Sequence, residues 1–340
     1  MNQDTNSRVH IAFSPWDLTD DYNRHAGVAM LSALDHCSSP VTIHLLYDAN
    51  LSVGKEREEA YNKSCYQKIA DKYGCELQYH HVDLPEWIHE LDSVKRWTPG
   101  TLMRIALPKI ITDIEKIIYF DCDMVINTDV KPLWNTNIDN YYLAAVPDSA
   151  VQNFGRKRKK YYSKKNIPIN GYFCAGTLVI NLRKLREIRD FIDTLFSYLH
   201  KNQDLPYLDQ DMLNWFCQGE YVPLDEKMNI YTLRKDVFKY SDDCVLHYAT
   251  KESKPWVKYN GPIDDYYWAY LCQVPWCENR EKLVEYTRSA PDINRALSLL
   301  HKDFFSYMEG TKLSEIKEIT RIGQSIIKSF LLWIVRLTKM

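Results

Sequence analysis

With 340 residues, 45% of them hydrophobic and 26% charged, the chain has the make-up of a globular protein of one large or two moderate domains, which excludes a disordered or fibrous architecture. Lysine and arginine total 43 against 45 acids, a balance that argues against general nucleic-acid binding. Nine scattered cysteines, with no CxxC pair and no zinc-ligand spacing, fit a reducing compartment, and MNQDTNSRVH lacks the basic segment and apolar core of a secretory signal. A cytoplasmic location is therefore expected.

In chain order, VHIAF (9–13) reads as a strand and 22–36 as a helix, with Thr19, Asp20 and Asp21 as candidate caps. VTIHLLY is the next strand. A helix over 55–74 follows, with Tyr61, Cys65, Ile69 and Tyr73 as its inner stripe. ELQYHHV is a strand, 102–112 a helical segment, and KIIYF (116–120) a strand. Strands alternating with helices predict an α/β fold around a mainly parallel sheet covered on both faces, with a ligand crevice beyond the carboxyl ends of its strands. Further on come a strand in YFCAGTLVINL, a helix in RKLREIRDFIDTLFSYL, a short helix in LDQDMLNWF and a strand in DCVLHYAT. The sequence beyond about Trp276 turns helical.

Asp121 and Asp123 follow KIIYF directly. At i and i+2 of an extended chain they share a face, while Cys122 points away. Two adjacent carboxylates repel unless a cation joins them, and oxygen ligands suit magnesium or manganese, which also bind phosphate. The bland reading is a solvated turn at a strand end. A third reading is the D-x-D of haloacid-dehalogenase-like phosphatases, although that motif normally lies near the N-terminus and is followed by Thr.

GRKRKKYYSKK (155–165) packs seven cations into eleven residues. It reads as a solvated loop, or as an acceptor lid that meets phosphates. Tyr161, Tyr162, Tyr266, Tyr267 and Trp268 are stacking candidates for sugars, with a core role as the alternative. Residues 312–340 carry six basic residues among Ile, Leu, Phe and Trp. They are too interrupted to span a bilayer, and read as a surface helix on an anionic membrane or as a helix docked on the domain.

The segments FDCDMVINTDVKPLW, YFCAGTLVINLRKL, LDQDMLN and LHYATKESKPW, in this order, resemble glycosyltransferase family 8, which contains bacterial lipopolysaccharide galactosyl- and glucosyltransferases and glycogenins. VHIAFSPWDLTDDYNRHAGVAMLSAL is similar to its first strand and nucleotide loop. The resemblance implies a GT-A type fold over 1–275, with a nucleotide-binding half at 8–135 and an acceptor half at 136–275, and leaves 276–340 as a helical C-terminal region. It implies retaining transfer of a hexose from UDP-galactose or UDP-glucose to a saccharide acceptor, lipid-linked, with Mn2+ or Mg2+ as cofactor and no nucleic acid.

By the same resemblance Asp121, Asp123 and His247 are metal ligands, although His247 taken alone reads rather as a core histidine hydrogen-bonded at a strand end. Lys254 meets the diphosphate, Arg104 lies near the donor, and Tyr22 and Asp20 hold the uracil end. Ala175 and Gly176 line the donor, and Asp209 and Gln210 stand closest to the reacting sugar carbon. Three departures from the family pattern stand out: a longer loop between Phe13 and Tyr22, Cys174 where Asn or Ser is usual, and Thr250 near a usual glycine. The alternatives are a glycogenin-like protein glucosyltransferase, the phosphatase, or a UDP-sugar-binding protein without turnover.

Overall fold

The structure, a computed structural model, describes residues 8–277. The expected surface helix at 312–340 lies outside the described residues. Strands β1 (Val9–Trp16), β2 (Val41–Tyr47), β3 (Glu76–His81), β4 (Lys116–Phe120), β6 (Leu143–Pro147), β7 (Phe173–Asn181) and β8 (Val222–Pro223) form one sheet in the order β3-β2-β1-β4-β7-β6-β8. β1 to β4 are mutually parallel, and β7 runs antiparallel to both β4 and β6. The remaining strands, β5 (Met124–Asn127), β9 (Ile230–Tyr231) and β10 (Cys244–His247), form a small second sheet in the order β5-β10-β9.

β7 is buried at all nine positions, and β2 and β4 at all but one each, which is why their sequences read as apolar runs rather than alternating patterns. One core, on one face of the large sheet, gathers α1 (Tyr22–Asp35), α2 (Glu56–Tyr73) and the small sheet; a second core fills the other face. The buried stripe of α2 is Asn62, Cys65, Tyr66, Ile69 and Ala70, the i, i+3, i+4, i+7, i+8 pattern of an amphipathic helix. It is rotated from the expected stripe, and leaves Tyr61 exposed. Gly27 of α1 lies against Trp276: a Cβ there would fall 2.5 Å from the ring. The Trp276 indole N–H donates to Asn62 Oδ1 at 2.5 Å, so the core extends to the last described residues.

Two expectations are corrected. The basic run is a helix, α3 (Arg156–Lys164), rather than a loop: it contains no Gly or Pro, Lys and Arg are good helix formers, and Tyr162 anchors it in the core. Buried Tyr162, like buried Tyr267 and Trp268, therefore offers no open stacking face. The segment expected as one helix over 102–112 is broken into Gly100–Met103, a tight turn at Arg104–Ala106 and Leu107–Ile110, with Pro108 removing an amide donor at the start of the last piece. Further helices used below are α4 (Phe191–Lys201), α5 (Leu208–Cys217) and α6 (Asp265–Leu271).

The topology places a crevice. From β1 the chain steps outward through β2 to β3, then returns to add β4 on the other side of β1. The switch point thus lies between the carboxyl ends of β1 and β4, where open α/β sheets bind ligands. The loop from Asp17 to Tyr22 leaves one of these ends and Asp121 leaves the other.

Candidate active site

Asp121 and Asp123 do converge, but through a turn at 121–123 rather than as neighbours along a strand; the chain re-enters regular structure at Met124 of β5. Cys122 is buried on the other side. β10 pairs antiparallel with β5 and sets His247 opposite Met124, which brings the imidazole to the acids. One ligand atom from each of Asp121, Asp123 and His247 lies within 4.8 Å of the others.

His247 Nε2 is 3.7 Å from Asp121 Oδ2 and 3.4 Å from Asp123 Oδ1. Its Nδ1 meets Asn229 Oδ1 at 2.9 Å; an amide oxygen only accepts, so Nδ1 carries a proton and Nε2 is the nitrogen presented to the carboxylates. Burial disfavours the imidazolium, yet Asp123 outweighs it and pushes His247 up to about 10. Asp123 is held below the usual carboxylate range: burial opposes its charge, but Lys254 and His247 more than compensate. Gly176 of β7 passes directly beneath, where an added Cβ would lie 2.6 Å from His247 Cε1. Only glycine leaves the imidazole its place.

Lys254 donates to Asp123 Oδ2 from the end of a turn closed by a reciprocal cap between Thr250 and Ser253. The buried Asp123 Oδ1 faces His247 Nε2 beyond normal hydrogen-bond length and has no hydrogen-bond partner among the described residues. Two carboxylates, an imidazole with Nε2 turned inward and an unsatisfied carboxylate oxygen form a donor set that fits a divalent cation such as magnesium or manganese.

Arg104, expected near the donor, forms the buried base of the acid cluster. At 3% exposure it lies beneath the acids, donating from Nη2 to Asp121 Oδ1 (2.6 Å), from Nε to Thr101 O (2.9 Å) and from Nη1 to Ala175 O (2.5 Å). Its Nε also lies 3.1 Å from Asp209 Oδ2, and Tyr119 stacks 4.1 Å from the guanidinium. Burial would lower its pKa, but Asp121 and Asp209 together raise it. Asp209, the second residue of α5, is pushed up to about 6 by burial despite Arg104.

Gln210 is fixed at both ends of its amide. Oε1 accepts from the Ala175 N–H at 3.0 Å, while Nε2 points to Asp148 Oδ2 (3.4 Å) and the Tyr172 hydroxyl (3.3 Å). The Ala175 backbone is thus committed to Gln210 and Arg104, and Gly176 O accepts from Asp121 N–H at 2.9 Å, which ties β7 to the acid turn. Asp148, Tyr172, Asn229 and Tyr231, whose hydroxyl donates to Asp148 Oδ2 at 3.2 Å, were not singled out from sequence. Of these, Asp148 carried a readable signal, an acid at the carboxyl end of the apolar LAAVP.

Behind Gln210, the Tyr172 hydroxyl and the Tyr207 N–H donate to Asp211 at 2.5 and 2.8 Å, and burial pushes Asp211 up to about 7. With the folded value above the unfolded ~3.9, this group's contribution to stability is complete below about pH 4 and is lost as the pH rises through about 7. Asp211→Asn should flatten the pH dependence by up to about 1.4 kcal/mol per pH unit inside that window. Urea unfolding at pH 5 and pH 8 checks this, and identical pH dependences for the two proteins would refute it.

Tyr22 opens α1 with its ring against His25 (5.2 Å) and Trp256 (6.1 Å). His25 itself stacks on Trp256 at 3.7 Å and meets the Tyr267 hydroxyl at 2.6 Å. Trp256 lies 5.5 Å from the Lys254 ammonium, so this aromatic group adjoins the acid cluster. Asp20 Oδ1 accepts from the Tyr22 N–H at 2.6 Å and Asp17 Oδ1 from Thr19 and Asp20, so the inserted loop is held by its own aspartates. No capping bond comes from Asp21.

A largely parallel sheet with a crevice at its switch point, joined to an Asp-Asp-His cluster, is the arrangement of the GT-A type fold. The solved galactosyltransferase LgtC, with donor and acceptor sugar analogues, has this fold: the match has a TM-score of 0.61 at 21% identity and covers 81% of this chain and 100% of that one. The sequence pattern of glycosyl transferase family 8 matches residues 15–260, and the chain belongs to that family. A Haemophilus influenzae relative is 29% identical over 221 residues, 64% of this chain. The lipopolysaccharide 1,3-galactosyltransferase of Salmonella typhimurium is 24% identical over 221 residues, 62% of this chain. The matches span 63% and 65% of these relatives' own lengths. The family match over residues 15–260 sets aside the phosphatase reading of the D-x-D. Among the described residues, no helix is long and apolar enough to cross a membrane.

Proposed function

We propose that the chain transfers galactose or glucose from its UDP-sugar, with retention and with a divalent cation, to a saccharide acceptor in the synthesis of lipopolysaccharide or a related surface polysaccharide, at the cytoplasmic face of the membrane. The observation that carries this reading is the convergence of Asp121, Asp123 and His247 at the switch point, beside Lys254 and within reach of Gln210 and Asp209 through Arg104 and Ala175. In this reading 8–135 is the nucleotide-binding half and 136–275 the acceptor half; the antiparallel pairing of β4 with β7, and of β5 with β10, joins the two segments beside the acid turn.

Asp121, Asp123 and His247 would hold the cation, which supplies Lewis-acid stabilisation of a departing diphosphate. Lys254 adds positive charge at the same place. Tyr22, together with Trp256 and the Asp20 loop, forms the aromatic end suited to uracil. Arg104 positions Asp121 and Asp209 rather than touching the donor.

Retention requires either an enzyme nucleophile or attack on the face that the leaving group vacates. An amide such as Gln210 is a weak nucleophile, and Asp209 is held by the Arg104 guanidinium, which lowers its nucleophilicity. Front-face attack is favoured, with Gln210 Oε1 and Asp209 stabilising the cationic sugar and a departing phosphate oxygen taking the acceptor's proton.

The test measures turnover of UDP-galactose and UDP-glucose, to water and to saccharide, with manganese, with magnesium and after EDTA. Turnover of one UDP-hexose that falls to background in EDTA and returns with added metal is the expected result. Metal-independent turnover would overturn the metal role, and tight UDP binding with no turnover would leave a binding protein.

A further inference from the structure

A second concave surface lies away from the acid cluster. It is a groove of about 920 Å³ between α3, the 166–170 segment, α4 and the C-terminal end of α5. Ile167, Pro168 and Ile169 supply apolar lining, and Trp215 lies on the α5 side. Trp215 stacks on Tyr198 at 4.0 Å and 11°, and the Tyr198 hydroxyl donates to Lys165 O at 2.7 Å. Tyr198 is buried and Trp215 is not, so the indole is held flat with one face covered, and its partial exposure comes from the rest of the ring.

Around this platform, the side-chain amides of Asn166 and Asn170 and the hydroxyls of Ser163 and Thr194 are without hydrogen-bond partners among the described residues, and all four residues line the groove. Polar groups left open beside a preordered aromatic ring match a sugar, which has an apolar C–H face and a rim of hydroxyls. Lys159 adds a cation at the edge, on a helix whose residues 156–160 are five consecutive exposed cations that form no ion pair with an acid among the described residues.

We propose that this groove binds an anionic saccharide, a phosphorylated or carboxylated stretch of the acceptor, at a distance from the reacting end. α5 carries Gln210 near one end and Gln218 just past the other, eight residues or about 12 Å apart along its axis. The stretch from Asn166 to Gly176 likewise runs from the groove to the acid turn. A short oligosaccharide spans that distance. The role as an acceptor subsite rests on the sugar-transfer reading above; the binding of saccharide does not.

The test is calorimetric titration of the full chain with tetragalacturonic acid and, as the uncharged comparison, maltotetraose. Tetragalacturonic acid is expected to bind at least tenfold more tightly, to weaken with salt, and to lose at least tenfold in Lys159→Glu and in Trp215→Ala. Slow hydrolysis of the UDP-hexose should be unchanged in both variants; this also reports folding, and Lys159→Glu, an exposed site, guards against a Trp215→Ala that fails to fold. Equal binding of the two saccharides, equal binding by wild type and Lys159→Glu, or no binding would overturn the proposal. So would capture of phosphatidylglycerol vesicles by the wild type but not by Lys159→Glu, with no saccharide bound. Saccharide binding that follows the expected pattern in a chain without UDP-hexose turnover would support the groove and refute the proposed function.

Discussion

Asp123→Asn is expected to lower metal-dependent UDP-hexose turnover by at least about 10²-fold, the scale on which one electrostatic stabiliser acts in an active site. The substitution keeps volume and shape, and removes one of two carboxylates in the cluster and the partner of both Lys254 and His247. Manganese binding should weaken with turnover. A graded comparison sharpens the assignment: Asn229→Ala leaves all three ligand side chains in place but frees the His247 tautomer, and should cost about 10- to 100-fold in metal affinity. Isothermal titration of manganese into the three proteins measures the series. Wild-type affinity in Asp123→Asn would remove Asp123 from the metal site, and an effect of Asn229→Ala equal to that of Asp123→Asn would make Asn229 more than an orienting group.

Much of this site was legible because its members stand at the ends of apolar runs. KIIYF delivers Asp121, and burial on both faces of the sheet makes such runs continuous and easy to see; CVLH, which ends at His247, and the strand that carries Ala175 and Gly176 are equally visible as runs, but those residues took their roles from the family resemblance. What sequence did not show depends on contacts between distant segments. That Arg104 is buried could not be read from sequence, because long charged side chains are seldom buried without partners, and its partners Asp121 and Asp209 lie 17 and 105 positions away in the chain. Asn229 lies between a one-turn helix and the two-residue strand β9, both too short to register as elements, yet it fixes the ring of His247. The basic run was misread as a loop because its polar residues show no period, although nothing in it opposes a helix. The break at Arg104 was foreshadowed by Pro108, but the tight turn that aims the guanidinium inward is set by packing against Tyr119 and Ala175.

Arg104→Leu should be the most destabilising substitution in the site, by about 3–5 kcal/mol, because it leaves Asp121 and buried Asp209 without their shared cation. The backbone oxygens of Thr101 and Ala175 lose their donor at the same time. For a chain of this size that loss corresponds to a Tm lower by roughly 4–7 °C. Arg104→Lys should recover little, since one ammonium cannot reproduce the planar fork that meets Asp121, Asp209, Thr101 and Ala175 together. Adding Asp209→Asn to Arg104→Leu should restore about 1–3 kcal/mol, the coupling expected when the stranded charge is itself removed. Urea unfolding of the single and double variants gives the cycle directly. Additive effects, or a Lys variant as stable as wild type, would show that the guanidinium is not what holds the two carboxylates in place beneath the site, and Asp209 would then be free to act as the nucleophile that the front-face route does without.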